Sequence, residues 1–204
     1  PSLVGSEMCI RDSPLVDSID FEKVPSLAMT KYLHAFSTRE DTRERFMKYI
    51  DDVKNNKAKV NVSTANVTDA YKIATKDSNS NVDDVIGKKI IDNETLGVEL
   101  DAIVILDTSG SMGSLGRNSI LDKAMSLAHA LSTHSTYARN QLISFSSCPQ
   151  LMTIKGDTLK EQYNSMYTGD CSNTDFGKVM QILQNLSKYP EYLIVLSDME
   201  FDYG

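Results

Sequence analysis

Oxygen-bearing side chains are concentrated in three short clusters of this sequence. The first covers residues 107–111 and reads Asp-Thr-Ser-Gly-Ser, the second covers 173–175 and reads Asn-Thr-Asp, and the third is Ser-Asp at 197–198. Magnesium prefers about six oxygen ligands in near-octahedral geometry and usually keeps several water molecules. The hydroxyl and carboxylate groups of these clusters are therefore candidate ligands for a divalent cation.

The spacing within the first cluster suits such a site. Asp107, Ser109 and Ser111 occupy alternate positions, and the glycine between the two serines permits the tight backbone that directs their oxygens to one point. Thr174 would add a hydroxyl from the second cluster, and Asp198 would accept a hydrogen bond from a metal-bound water. Because few carboxylates would touch the ion directly, it would remain electrophilic and would accept an acidic group from a partner.

Each cluster also has a purely structural interpretation. Asp and Ser residues often form turns and cap helices, so residues 107–111 could be a capped turn. Thr174 or Asp175 could be the N-cap of a helix that begins at Phe176. Asp198 could have a structural role, although a carboxylate at the end of a buried strand needs a partner. Oxygen ligands alone do not distinguish Mg²⁺ from Mn²⁺ or Ca²⁺.

The elements around the clusters predict an α/β fold. Residues 102–106 form a short apolar run rich in β-branched side chains, which is typical of a strand buried on both faces. Residues 140–146 and 192–196 predict two more strands, and 151–154 is close enough to 140–146 to form an edge hairpin. Apolar residues at helical spacing predict the intervening helices, which cover residues 121–131, 158–166 and 176–186.

The predicted order is strand, helix, strand, strand, helix, helix, strand, which indicates an α/β architecture. Open sheets of this kind bind ligands beyond the carboxyl ends of their strands, near the point where the strand order reverses. All three polar clusters are expected at that edge.

The N-terminal half has a different character. Residues 20–95 predict an α-helical segment whose first helix starts near Pro25, because proline suits the first helical turn. Ser37, with Glu40 three residues later, predicts the start of a second helix through a capping box. We therefore expect a helical segment over 20–95 and an α/β domain over 99–204.

Composition excludes several classes of function. The chain has 204 residues, 41% of them hydrophobic, and a formal net charge of −7 that arises entirely from residues 61–204. An acidic domain disfavours DNA, and no apolar run is long enough to span a membrane. Three cysteines without metal-ligand spacing indicate a reducing, cytoplasmic compartment. Residues 1–13 resemble translated sequencing adapter and are interpreted as an artefact.

The three clusters resemble the metal-ion-dependent adhesion site of von Willebrand type A domains. The pattern of that family is Asp-x-Ser-x-Ser, then a Thr, then an Asp, and it is matched here by Asp107, Ser109, Ser111, Thr174 and Asp198. The resemblance implies that the two serines and the threonine bind the metal, while the two aspartates act directly or through water. It also implies a Rossmann-like, doubly wound sheet. Such sheets have about six strands, so we expect the domain to be incomplete at its C-terminal end.

Residues 24–29, 145–146, 173–176 and 197–202 further resemble the Ro-like group of these proteins, which includes proteins with a TROVE module. In the Ro autoantigen, helical repeats form a ring that binds small structured RNA. The resemblance therefore implies that residues 20–95 are the end of such a helical region.

The expected function is a binding module without catalysis, in which Mg²⁺, or Mn²⁺ or Ca²⁺ in its place, captures an acidic group of a protein partner. The alternative is a Ro-like ribonucleoprotein component that binds structured small RNA through basic residues of the helical segment, namely Lys23, Lys31, Arg39, Arg43, Arg45 and Lys48. An aspartyl phosphotransferase is disfavoured, because Ser109 stands where such enzymes need a second aspartate. We expect that the protein is not an enzyme.

Overall fold

A computed structural model describes residues 19–76, 81–116, 118–167 and 175–199 of the chain. These ranges contain seven α-helices, four β-strands and two short 3-10 helices, so the protein has the α/β architecture that the sequence predicts. None of the helices in these ranges combines the length and the apolar character needed to cross a lipid bilayer.

Four helices form the N-terminal part, after a 3-10 helix over Phe21–Lys23. They are α1 (Ser26–Thr38), α2 (Glu40–Lys54), α3 (Val67–Ala74) and α4 (Asn81–Glu94). A cluster of aromatic rings holds the first two helices together. The Phe46 ring lies 5.1 Å from that of Phe21 and 5.5 Å from that of Phe36, measured between centroids. The N-terminal part is therefore helical, as the sequence predicts, and a cluster of aromatic side chains packs between its first two helices.

The predicted capping box at Ser37 is wrong. α2 begins at Glu40 with Arg39 as its N-cap, and no side chain caps this end. Ser37 lies instead in the last turn of α1, where its hydroxyl donates to the carbonyl of His34 at 3.0 Å. Serine hydroxyls readily bond back to the preceding helical turn, so this residue marks the end of one helix and not the start of the next.

The sheet has the strand order β3-β2-β1-β4. Its strands are β1 (Ala102–Asp107), β2 (Gln141–Phe145), β3 (Gln150–Thr153) and β4 (Tyr192–Leu196). β1 is parallel to both of its neighbours, and β3 pairs antiparallel with β2 as the predicted edge hairpin. The chain leaves β1 toward β2 on one side and later returns as β4 on the other side. The strand order therefore reverses at β1, where sheets of this kind form a ligand-binding crevice.

Helices lie on both faces of the sheet at β1 and β2, whereas most side chains of the edge strand β4 are exposed or half-buried. The three helices that connect the strands are α5 (Ile120–His134), α6 (Leu159–Ser165) and α7 (Phe176–Gln184). All six residues of β1 are buried, and alternate side chains point to opposite faces. Val104 and Leu106 join a large core formed with α5, α6 and the four N-terminal helices. Ile103 and Ile105 pack with Val179 of α7. This arrangement is compatible with a Rossmann-like fold.

Candidate metal centre

Asp107, the last residue of β1, is completely buried. Its Oδ1 accepts a hydrogen bond from the backbone N–H of Ser109 at 2.9 Å, and its Oδ2 accepts one from the Ser197 hydroxyl at 2.6 Å. A carboxylate in the interior requires such donors, because burial removes its water. Asp107 is therefore held between the loop that follows β1 and the loop that follows β4.

The serines of the first cluster lie on a tight turn directly after Asp107. A 3-10 helix covers Gly110–Met112, and Ser109 precedes it without using its side chain as a cap. The hydroxyl oxygens of Ser109 and Ser111 are 3.0 Å apart. The turn that the structural interpretation expects over residues 107–111 is closed by the bond from the Ser109 N–H to the Asp107 carboxylate. The hydroxyls of Ser109 and Ser111 lie together beside this carboxylate.

The separation of 3.0 Å is that of a hydrogen bond between the two hydroxyls, in which either oxygen can be the donor. The contact therefore does not discriminate between Mg²⁺, Mn²⁺ and Ca²⁺. Adjacent ligand oxygens of an octahedral ion with bonds of 2.0–2.1 Å are about 2.9 Å apart, so the two hydroxyls lie close enough together to be neighbouring ligands of one cation.

Gly113 ends the 3-10 helix that carries Ser111. Its φ of 89° and ψ of −169° belong to a backbone region that is essentially restricted to glycine. A Cβ added there would also lie 3.0 Å from the Cβ of Ser119. The turn therefore depends on this glycine for its shape.

Gly113→Ala is expected to lower the free energy of unfolding by about 1–2 kcal/mol, because the alanine would be strained in this conformation. Urea unfolding of the variant and the wild type would measure the difference. Ser114→Ala, which changes an exposed neighbour in the same loop, is the control and should stay within about 0.5 kcal/mol of the wild type. A Gly113→Ala loss no larger than that of the control would contradict the strain argument.

The third cluster reaches the same edge of the sheet through β4. Leu196 pairs in register with Leu106, so Ser197 lies level with Asp107 on the neighbouring strand, and Asp198 is one residue further along. The sequence singled out Asp198 and missed the contact of Ser197 with Asp107. The only signal for it was that Ser197 directly follows a strand, which becomes informative once β4 is known to adjoin β1.

The second cluster is described only in part. Thr174 lies outside the described residues, so its role as a metal ligand stays a prediction. The backbone N–H of Asp175 donates to the carbonyl of Ser146 at 3.4 Å. Ser146 directly follows Phe145, which pairs with Asp107 across the sheet. The chain that leads into α7 therefore arrives at the same edge as the other two clusters.

The structure decides between the two caps considered for α7. Asp175 is the N-cap, and its side chain accepts the backbone N–H of Lys178 at 3.2 Å. Lys178 in turn donates to the carbonyl of Ser147 at 2.7 Å, which ties α7 to the loop after β2. The Asp175 cap that the sequence offers is therefore confirmed.

Three of the six basic residues named for RNA binding make polar contacts within the helical segment or with the residues that precede it. Lys23 and Arg39 form ion pairs with nearby aspartates at 2.8 and 2.7 Å. Arg45 donates to a backbone carbonyl at 2.9 Å and lies over the ring of Phe21. Such contacts are common on a solvated amphipathic surface, and binding of RNA through these residues stays a prediction.

A metal site built from the usual imidazole, thiolate and carboxylate groups does not occur in the described ranges, where no three His, Cys, Asp or Glu side chains are grouped to hold an ion. The set around Asp107 differs in kind, because serine hydroxyls supply its central oxygens. Such a set would place less negative charge on a bound ion than a carboxylate cluster does.

Comparison with known proteins gives two family matches. The family model described as Domain of unknown function (DUF7788) matches residues 101–204, and that described as Domain of unknown function (DUF2828) matches residues 7–96. No curated protein and no solved structure matches the chain. Neither description names the von Willebrand type A or the Ro-like family, so that resemblance stays a hypothesis. The first match covers half of the chain, with all four strands and all five predicted ligands, and the chain therefore belongs to the DUF7788 family.

Proposed function

We propose that the edge where β1 and β4 end binds Mg²⁺, or Mn²⁺ or Ca²⁺ in its place, and uses the ion to capture a carboxylate of a protein partner, without catalysis. The hydroxyls of Ser109, Ser111 and Thr174 would hold the ion, with Asp107 and Asp198 beside them. The observation that carries the proposal is the 3.0 Å separation of the Ser109 and Ser111 hydroxyl oxygens. The matching order of the five residues in von Willebrand type A domains supports it.

The two kinds of side chain have different roles in this proposal. Both carboxylate oxygens of Asp107 already accept hydrogen bonds from the protein. Asp107 therefore serves to fix the loop and to orient a water molecule, and the serine hydroxyls bind the metal directly. A cation held mainly by neutral hydroxyls keeps most of its charge, which gives it affinity for an acidic group.

We also propose a cytoplasmic location. Cys148 is a free and exposed thiol, as expected in a reducing compartment. Such a thiol would be open to oxidation in a secreted protein.

Titration of the full chain with Mn²⁺ in a calorimeter tests the proposed metal site. We expect one binding site in the wild type and at least a tenfold loss of affinity in the Ser109→Ala/Ser111→Ala double variant, because two of the predicted ligands are removed. Ser114→Ala is the matched control, since it removes an exposed hydroxyl from the same loop without touching the set.

Two results would refute the proposal: the absence of Mn²⁺ binding by the wild type, and equal affinity in the double variant and the control. Urea unfolding of each variant confirms that it is folded during the titration. Addition of a short glutamate-containing peptide to the Mn²⁺-loaded protein then tests the second part. The peptide should bind only in the presence of the metal.

A further inference from the structure

A buried carboxylate on α5 connects the candidate site to the N-terminal helices. Asp122 is 2% exposed, and its Oδ1 accepts the hydroxyl of Tyr71 and the backbone N–H of Gly116, both at 2.9 Å. Its Oδ2 accepts the backbone N–H of Ser119 at 3.1 Å. Each of these donors is uncharged. A carboxylate that has lost its water depends on every such bond, so the removal of one donor leaves it incompletely satisfied.

Two of these donors belong to the segment that links the turn after Asp107 to α5. Gly116 and Ser119 lie between the 3-10 helix over Gly110–Met112 and the start of α5 at Ile120. Gly113, which ends the 3-10 helix, lies directly against the Cβ of Ser119. Asp122 therefore fixes the backbone that follows Ser111.

The third donor comes from a distant part of the chain. Tyr71 lies on α3 and is buried, 51 positions before Asp122. A second contact joins the same two helices, because the hydroxyls of Thr68 and Ser126 are 3.4 Å apart. The phenol thus reaches Asp122 from a helix that is docked on α5.

We propose that Tyr71 is a positioning residue for the loop between β1 and α5, which carries Ser109 and Ser111, and that it acts through Asp122. Its hydroxyl holds Asp122 Oδ1 at the place where this atom also receives the backbone N–H of Gly116. The N-terminal helices thereby set the position of the Ser111 hydroxyl and the affinity for the ion. The metal part of this inference rests on the proposed function, whereas the loop-fixing part does not.

The chain offers a matched control for this role. The ring of Tyr163 packs edge-on against that of Tyr71 at 4.9 Å, and both residues are buried. Its hydroxyl makes no hydrogen bond with any residue in the part of the chain that the structure describes. Tyr71→Phe and Tyr163→Phe therefore delete the same atom from neighbouring rings, and only the first deletes a donor to Asp122.

Amide hydrogen exchange and Mn²⁺ titration of the full chain test the inference. In the metal-free protein, Tyr71→Phe should accelerate exchange at Gly116 and Ser119 at least threefold more than at the amides of β1. The same variant should bind Mn²⁺ three- to tenfold more weakly than the wild type. Tyr163→Phe should leave both quantities unchanged.

The outcomes separate this inference from the proposed function. Unchanged exchange at Gly116 and Ser119, or acceleration that is equal at β1, overturns the inference whether or not metal binds. Faster loop exchange with unchanged Mn²⁺ affinity overturns the link between Tyr71 and the site. If the wild type binds no Mn²⁺, the proposed function fails, and the exchange data alone decide whether Tyr71 holds the loop.

Discussion

Phe46→Ala is expected to lower the free energy of unfolding of the whole chain by about 3–5 kcal/mol. The Phe46 side chain is fully buried among the aromatic rings of the N-terminal helices. It belongs to the same continuous core as Val104 and Leu106 of β1. The cavity left by alanine would therefore weaken the helices and the sheet together. Urea unfolding followed by far-UV circular dichroism measures the loss, and hydrogen exchange at β1 shows whether the sheet shares it.

The neighbouring residue supplies the control for this experiment. Met47 is exposed on the same helix, so Met47→Ala should change the free energy of unfolding by no more than about 0.5 kcal/mol. If Phe46→Ala instead destabilises the helices while β1 keeps its full exchange protection, the two parts unfold independently. The shared core would then contribute little to cooperativity.

The second large effect is a loss of stability in mild acid. His129 is buried on α5, and burial lowers the pKa of its imidazole to about 4, although a hydrogen bond with Gln162 acts in the opposite direction. In the unfolded chain the imidazole titrates near its ordinary pKa of about 6.5. Between these values the unfolded state takes up a proton that the folded state does not. The contribution of His129 to the free energy of unfolding is therefore complete above pH 6.5 and is lost as the pH falls toward 4. The free energy of unfolding should be about 2 kcal/mol lower at pH 5 than at pH 7.

Urea unfolding at pH 7 and pH 5 measures this loss. His129→Gln should remove most of the difference between the two pH values, because glutamine has no proton to gain. His34→Gln is the control: His34 lies exposed on α1, and its replacement should leave the difference intact. An undiminished difference in His129→Gln would show that other groups cause the acid sensitivity.

Some elements of the fold are predictable because the pattern that specifies them is local. The run 102–106 is short, apolar at every position and rich in β-branched residues, which is typical of a strand buried on both faces, and it forms β1. The hairpin of β2 and β3 follows from two strand patterns separated by a short polar link. In contrast, Ser37 has the same local signature at the end of a helix as at the start of one, so its role could not be predicted from the pattern.

The contacts that surround Asp107 were only partly predictable from the sequence, and the metal site itself stays a prediction. The Ser109 and Ser111 hydroxyls meet because they are two positions apart on one turn. The bond from Ser197 to Asp107 depends on the placement of β4 beside β1, and this strand order is decided by packing over 90 positions of sequence. Ser119 and Asp122 have the spacing of a capping box and form one at the start of α5, so this part of the loop is marked by a local sequence signal.

The hydrogen bond between Tyr71 and Asp122 joins stretches that match two different families. A relative that carried the second stretch without the first would lose the phenol together with the helix that carries it, and water could then reach Asp122. The acid and the phenol are thus expected to covary among relatives that contain both stretches, which makes this pair an evolutionary marker of whether the two stretches are packed together.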